Sequence, residues 1–154
     1  MEALEAGNKG PLAGNVPSVK FIFVSDKEKI AGLAEAARQD FVATACFIVV
    51  VCSDTKECKR AYEESAETYC HQQAGAAIEN FWLKLTDLGM ATCWVGSFSE
   101  TTVKRLLGLP DTVMVEGIFP IGYEMGKTKQ KPKQKLDACI FFDYWKNKYM
   151  KPIR

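Results

Sequence analysis

The chain has 154 residues, of which 47% are hydrophobic and 25% are charged, and its formal net charge is +1. This length suits one compact domain and is short for two, so we expect a single domain over residues 1–154. The near-neutral charge gives no overall attraction to nucleic acid or to an anionic membrane, and no apolar stretch is long enough to span one. Met1 is followed by Glu2 and Glu5 rather than by a basic and then apolar signal, which predicts a cytoplasmic protein.

The cysteine and histidine content argues against a metal site. Six cysteines are spread along the chain without a C-x-x-C pair, and His71 is the single histidine, so we predict no metal. Cys70 and His71 are adjacent, but neighbours on a helix point in different directions and cannot easily act as nucleophile and base. We therefore interpret the cysteines as mostly reduced, small apolar residues.

The first predicted strand, residues 19–24, is entered through a loop of Gly, Pro, Leu, Ala and Asn at residues 10–15. Ordinary turn chemistry explains such a loop. The other interpretation is that Ala13 and Gly14 are small so that the backbone can lie against a flat ligand, with the Asn15 amide as donor and acceptor. The loop by itself leaves both interpretations open.

The next elements follow from their apolar spacing. A capping box at residues 25–28 and the periodicity after it predict an amphipathic helix over residues 27–44. The continuous apolar run at residues 47–52 predicts a central strand that is covered on both faces. Residues 55–69 predict a polar surface helix.

The second half of the chain begins with a longer predicted helix, from residue 72 to Leu88, which Gly89 ends. Another helix is expected between Ser99 and Gly108. Residues 113–123 predict a third strand, and a lysine-rich loop and an aromatic tail follow it.

Two patterns after the third strand resemble known sites. Residues 122–128, GYEMGKT, have three residues between the glycines where a phosphate-binding P-loop needs four, so we set that motif aside. The lysine run at residues 127–135 favours a solvated loop, with phosphate binding as the next alternative and nucleic acid as a weaker one. We find no G-x-G-x-x-G and no G-x-S-x-G motif.

Residues 74–110, AGAAIENFWLKLTDLGMATCWVGSFSETTVKRLLGLP, resemble the nitroreductase family of flavoproteins in the order of their blocks. Three further stretches, PLAGNVPSVKFIFV, VEGIFPIGYE and QKLDACIFFDYW, extend the resemblance to about residues 3–146. It implies an α+β fold with a mixed, largely antiparallel sheet flanked by helices, in a homodimer with FMN at its interface. It also implies that residues 136–154 form a C-terminal arm that docks on the partner subunit.

The resemblance assigns cofactor-binding roles to particular positions. It implies that the loop at residues 11–15 lies along the flavin ring, that Gln39 faces the pyrimidine ring, and that residues 92–96 pass the N5 side through their backbone. Lys133 and Lys135 fall where the family binds the FMN phosphate. The full set is Pro11, Leu12, Ala13, Gly14, Asn15, Gln39, Thr92, Cys93, Trp94, Val95, Gly96, Lys133 and Lys135.

The implied function is FMN-dependent transfer of a hydride from NADH or NADPH to a small electrophile such as a nitroaromatic or a quinone. The flavin carries the chemistry, so no catalytic side chain is expected. The expected partners are a second copy of the chain and a small-molecule electron acceptor, with neither nucleic acid nor membrane.

The sequence departs from the family pattern at three places. The family's first helix, with an Arg-x-Ser-x-Arg cluster for the phosphate, has no counterpart here. Leu12 replaces a serine of the flavin loop, and Cys46 and Gln73 stand where proline and aspartate are usual, which we expect to affect strand entry and helix start. The alternative function is therefore a weakly flavin-binding or non-catalytic interaction domain or flavin carrier.

Overall fold

The computed structural model describes residues 1–126 and 131–150. The chain divides into two compact units, Met1–Glu124 and Met125–Arg154. Lys127 and Lys129 of the lysine run lie outside the described residues. The predicted single domain, and the docking of its arm on a partner, stay predictions.

The first unit contains five helices and four strands among its described residues. The helices are α1 (Glu2–Asn8), α2 (Lys27–Ala37), α3 (Lys56–Tyr62), α4 (Ala66–Asp87) and α5 (Glu100–Leu107). The strands are β1 (Val19–Val24), β2 (Phe47–Asp54), β3 (Ala91–Thr92) and β4 (Val113–Gly122). No helix in the part of the chain that the structure describes is long and apolar enough to cross a bilayer.

The four strands form one antiparallel sheet in the order β1-β2-β4-β3. Ile48, Val50 and Cys52 of β2 face one core, which α2 and α5 cover. Val49 and Val51 face a second core, which α1 and α4 cover. The prediction of a largely antiparallel sheet flanked by helices, and of a central strand that is buried on both faces, is confirmed.

The predicted helix over residues 27–44 is too long at its C-terminal end. Asp26 begins α2 by accepting the Lys29 N–H at 2.9 Å, but the helix ends at Ala37 because Arg38 adopts a left-handed conformation, with φ 53°. A 3-10 turn at Asp40–Thr44 follows and buries Val42 completely. The apolar spacing continues through this turn because Val42 packs into the core where a further turn of α2 would have placed an apolar residue.

The predicted boundary between the two middle helices is also wrong. α3 ends at Tyr62, Glu63 breaks the path with φ 46° and ψ −116°, and α4 begins at Ala66 rather than near residue 72. Ala66, Cys70 and Ala74 share the buried face of α4, and their four-residue spacing is the signal that extends this helix. We expected Gln73 to affect the start of this helix, but it lies inside α4.

A β-bulge interrupts the pairing of β2 with β4. The register passes from Val51 opposite Gly117 to Cys52 opposite Val115, so Glu116 has no opposite residue. The Glu116 carbonyl accepts the Trp94 Nε1–H at 3.1 Å. A Cβ atom on Gly117 would lie 2.6 Å from Trp94 Nε1 and 2.8 Å from Phe119 Cε2, so this close approach requires glycine.

The second unit has one short helix, α6 (Leu136–Cys139), within its described residues. Phe141 packs on Trp145 with ring centroids 4.5 Å apart, and Lys148 Nζ lies 4.1 Å from the Phe141 centroid. Asn147 Nδ2 donates to the Phe142 carbonyl at 2.7 Å, so this segment is held by its own local contacts.

We expect Gly117→Ala to lower the free energy of unfolding by about 1–3 kcal/mol, because the added methyl must displace Trp94 or Phe119. Gly122→Ala on the same strand is the matched control, since a Cβ atom there meets no atom of the described residues within 4 Å. Both changes reduce the entropy of the unfolded chain alike, so their difference in chemical denaturation isolates the contact. Equal stabilities for the two variants would contradict the close packing of Trp94.

Candidate functional site

The loop at residues 11–15, hereafter the 11–15 loop, ends in a 3-10 turn in which Gly14 and Asn15 both have left-handed φ angles of 50° and 62°. The Val16 N–H closes this turn on the Ala13 carbonyl at 3.0 Å. A Cβ atom on Gly14 would lie 1.8 Å from Tyr62 Oη, so the loop rests directly on the end of α3. Asn15 is exposed, and its amide makes no hydrogen bond with the described residues.

Residues 92–96, hereafter the 92–96 segment, run beside β4. Thr92 Oγ1 donates to the Pro120 carbonyl at 2.9 Å, and Val95 and Ile118 exchange two backbone hydrogen bonds at 3.0 Å. Val95 is buried and Ile118 occupies both of its backbone polar groups, so this predicted position offers a ligand neither a side chain nor a free backbone group. Cys93, Trp94 and Gly96 are exposed at the surface.

Trp94 is held from two sides although it is 44% exposed. Its indole donates to the bulge carbonyl of Glu116, and its ring lies 5.6 Å from the Phe119 ring, centroid to centroid. A large side chain with both a hydrogen bond and a ring contact has little rotamer freedom left. The 92–96 segment is therefore a rigid surface feature.

The structure places the remaining predicted positions separately. Gln39 is half-buried just before the 3-10 turn, and its carbonyl accepts the Val42 N–H at 3.1 Å. Lys133 and Lys135 belong to the second unit, where both are exposed and neither forms a salt bridge with a described residue. No hydrogen bond or ion pair joins the 11–15 loop, Gln39 and the 92–96 segment within residues 1–126 and 131–150.

The cysteines divide into two groups. Cys52, Cys58 and Cys70 are buried, whereas Cys46, Cys93 and Cys139 are exposed, so the interpretation as small core residues applies to half of them. Burial, with the nearby Glu116 carboxylate, raises the pKa of Cys52 to about 12. Burial and the contact with Cys58 raise the pKa of Cys70 to about 11, so neither thiol ionises near neutral pH.

The contact between His71 and Glu116 was not predicted from the sequence. His71 Nδ1 lies 2.8 Å from Glu116 Oε2, and the Glu116 side chain is 9% exposed. The second oxygen, Oε1, is buried and has no hydrogen-bond partner among the described residues. The pair lies 45 residues apart in the chain and depends on the bulge, so no local pattern could have indicated it.

These residues fit a planar, anionic cofactor such as FMN. Neither the Asn15 amide nor the Gly96 N–H forms a hydrogen bond with a described residue, so both can bind the polar edge of a ring. Lys133 and Lys135, which the resemblance assigns to the phosphate, belong to the second unit, and this assignment stays a prediction. Groups of three or more His, Cys, Asp or Glu that could hold a metal ion do not occur in the described ranges.

The comparisons with known proteins all give one family. The model of the nitroreductase family matches residues 35–123. A protein of Archaeoglobus fulgidus, named as a candidate NADH dehydrogenase/NAD(P)H nitroreductase, is 30% identical over 125 residues. The match covers 78% of this chain and 69% of the relative.

Solved structures of the family have the same fold. The NADPH:FMN oxidoreductase of Vibrio harveyi, complexed with NAD⁺, superposes with a TM-score of 0.83 at 21% identity, over 95% of this chain and 67% of that one. An FMN-dependent nitroreductase of Clostridium difficile R20291 superposes with a TM-score of 0.77 at 22% identity, over 94% of this chain and 86% of that one.

The family model covers more than half of the chain, and the sequence relative and the solved structures agree with it. The predicted nitroreductase family, and with it an oxidoreductase enzyme, is thereby confirmed. The chain belongs to the nitroreductase family.

Proposed function

We propose that this protein oxidises NADH or NADPH and passes the hydride by way of bound FMN to a small electrophile such as a nitroaromatic or a quinone. The observation that carries the proposal is the 92–96 segment of this family member, in which Trp94 is held by two contacts and the Gly96 N–H has no partner among the described residues. FMN, when bound, supplies the two-electron chemistry.

The chain's own residues would bind FMN and orient its ring. The Gly96 N–H and the Asn15 amide would donate to the polar edge of the ring, where donors favour added negative charge. The buried Cys52 and Cys70 thiols stay protonated and His71 is engaged by Glu116, so none of these three side chains is a ready nucleophile. Gln39 is proposed as a further contact to the ring.

We propose the homodimer on the same family grounds, and the molar mass of the purified protein in solution tests it. The 136–154 arm is the proposed contact with the second copy. Its exposed aromatic residues support this proposal, because they offer apolar surface for docking: Tyr144, Trp145 and Tyr149.

We expect the purified protein to take up FMN, to stay yellow after free flavin is removed, and to lose that colour when NADH or NADPH is added without oxygen. The measurement is a visible absorption spectrum before and after the reductant. Absence of flavin absorbance after incubation with excess FMN would refute the proposed enzyme. Bound flavin that neither NADH nor NADPH reduces would favour the alternative, a flavin carrier.

Two substitutions of Asn15 separate its amide from its backbone. Asn15→Gly keeps the left-handed φ of 62° without strain, whereas Asn15→Ala adds strain of about 1–2 kcal/mol. If the amide binds the flavin, both variants weaken FMN binding by about 1 kcal/mol or more, roughly fivefold, in fluorescence titrations. FMN binding by Asn15→Gly that equals that of the unchanged protein would show that the position serves the turn and not the ligand.

The lysine prediction concerns the phosphate. We expect Lys133→Ala with Lys135→Ala to weaken FMN binding roughly tenfold at low salt, less at high salt, and to leave riboflavin binding nearly unchanged. Lys27→Ala with Lys29→Ala is the control, since it removes the same charge from the exposed start of α2. Equal losses for FMN and riboflavin would mean that Lys133 and Lys135 do not contact the phosphate.

A further inference from the structure

A small cavity lies behind the 11–15 loop. Its volume is about 40 Å³, and Gly10, Pro11 and Leu12 line it on the loop side while Gln73 and Ala77 of α4 line it on the other. A flavin or an electron acceptor is far too large for this space. A water molecule occupies about 30 Å³ in the liquid, so the cavity suits one water.

The buried polar side chain that lines this cavity is Gln73, which is 4% exposed. Its Nε2 reaches Cys58 Sγ at 3.8 Å, a weak contact, and its Oε1 has no hydrogen-bond partner in residues 1–126 and 131–150. A buried amide oxygen without a donor is costly, so native proteins nearly always supply one. The opposite side is lined by the backbone of residues 10–12 and by the exposed Asn8 at the end of α1, and no hydrogen bond joins either of them to Gln73 Oε1.

We propose that the cavity binds one ordered water molecule, which donates to Gln73 Oε1 and bridges to the backbone of the 11–15 loop. Gln73 is then a positioning residue for this loop. The inference deepens the proposed function, on which its second half rests. We expected residue 73 to affect the start of a helix, but it lies in the third turn of α4, on the side that faces the loop.

The water would complete a two-point support. Tyr62 Oη already backs the loop at Gly14, and the Gln73 amide would hold its beginning through the water. Both supports meet near Cys58 of α3, which Gln73 Nε2 contacts. The loop would then keep its left-handed turn ready before a cofactor arrives, and less ordering would accompany binding.

Gln73→Met tests the positioning role, because it keeps the length of the side chain and removes the acceptor. Gln72→Met is the matched control, since Gln72 is its exposed neighbour on α4. We expect the FMN dissociation constant of Gln73→Met to rise roughly three- to tenfold over that of Gln72→Met. The unfolding midpoints of the flavin-free variants should agree closely, because an apolar group of similar shape removes both the amide oxygen and its need for a water donor.

A high-resolution crystal structure of the unchanged protein tests the water directly, with density expected within hydrogen-bond distance of Gln73 Oε1 and a loop backbone atom. A cavity without density would overturn the proposal, as would equal FMN affinities of the two variants. A weaker affinity accompanied by an equally lowered unfolding midpoint would make Gln73 a packing residue instead. If the unchanged protein binds no FMN, the proposed function and the positioning role both fail, whereas the water is still judged by the density.

Discussion

The fold depends on β2, the strand that both helix layers cover. Every side chain from Ile48 to Ser53 is buried, so the strand's backbone polar groups have no access to water and must pair with neighbouring strands. β1 and β4 provide that pairing on its two edges. The 11–15 loop leads into β1 and the 92–96 segment lies along β4, so both parts of the candidate site are attached to this one buried strand.

The hydrophobic pattern was sufficient for the elements whose burial follows a single period. The apolar run of β2 and the helix between Ser99 and Gly108 were predicted to within two residues, because local sequence and burial agree there. The pattern failed where the chain changes its path while it stays buried. Arg38 ends α2 by its backbone conformation, and the 3-10 turn that follows still buries Val42, so periodicity showed no end.

The candidate site, too, was predicted from the sequence only in part. The order of the sequence blocks was enough to predict the family and hence the fold, because that order is specific even when each block is weak. The contacts that give the site its rigidity join distant residues: Gly14 with Tyr62, and Trp94 with Glu116. Neither contact has a local signature, since one depends on where α3 ends and the other on a bulge.

The bulge at Glu116 has a consequence for how β4 can vary in evolution. Before it, the odd-numbered residues Val113 and Val115 face the core under α2 and α5; after it, Phe119 and Ile121, also odd-numbered, face the core under α4. The extra residue thus moves the odd-numbered side chains of β4 from one face of the sheet to the other. Loss of a single residue here would turn half the strand inside out, whereas many substitutions would leave both cores filled. The length of this strand is therefore more constrained than its composition.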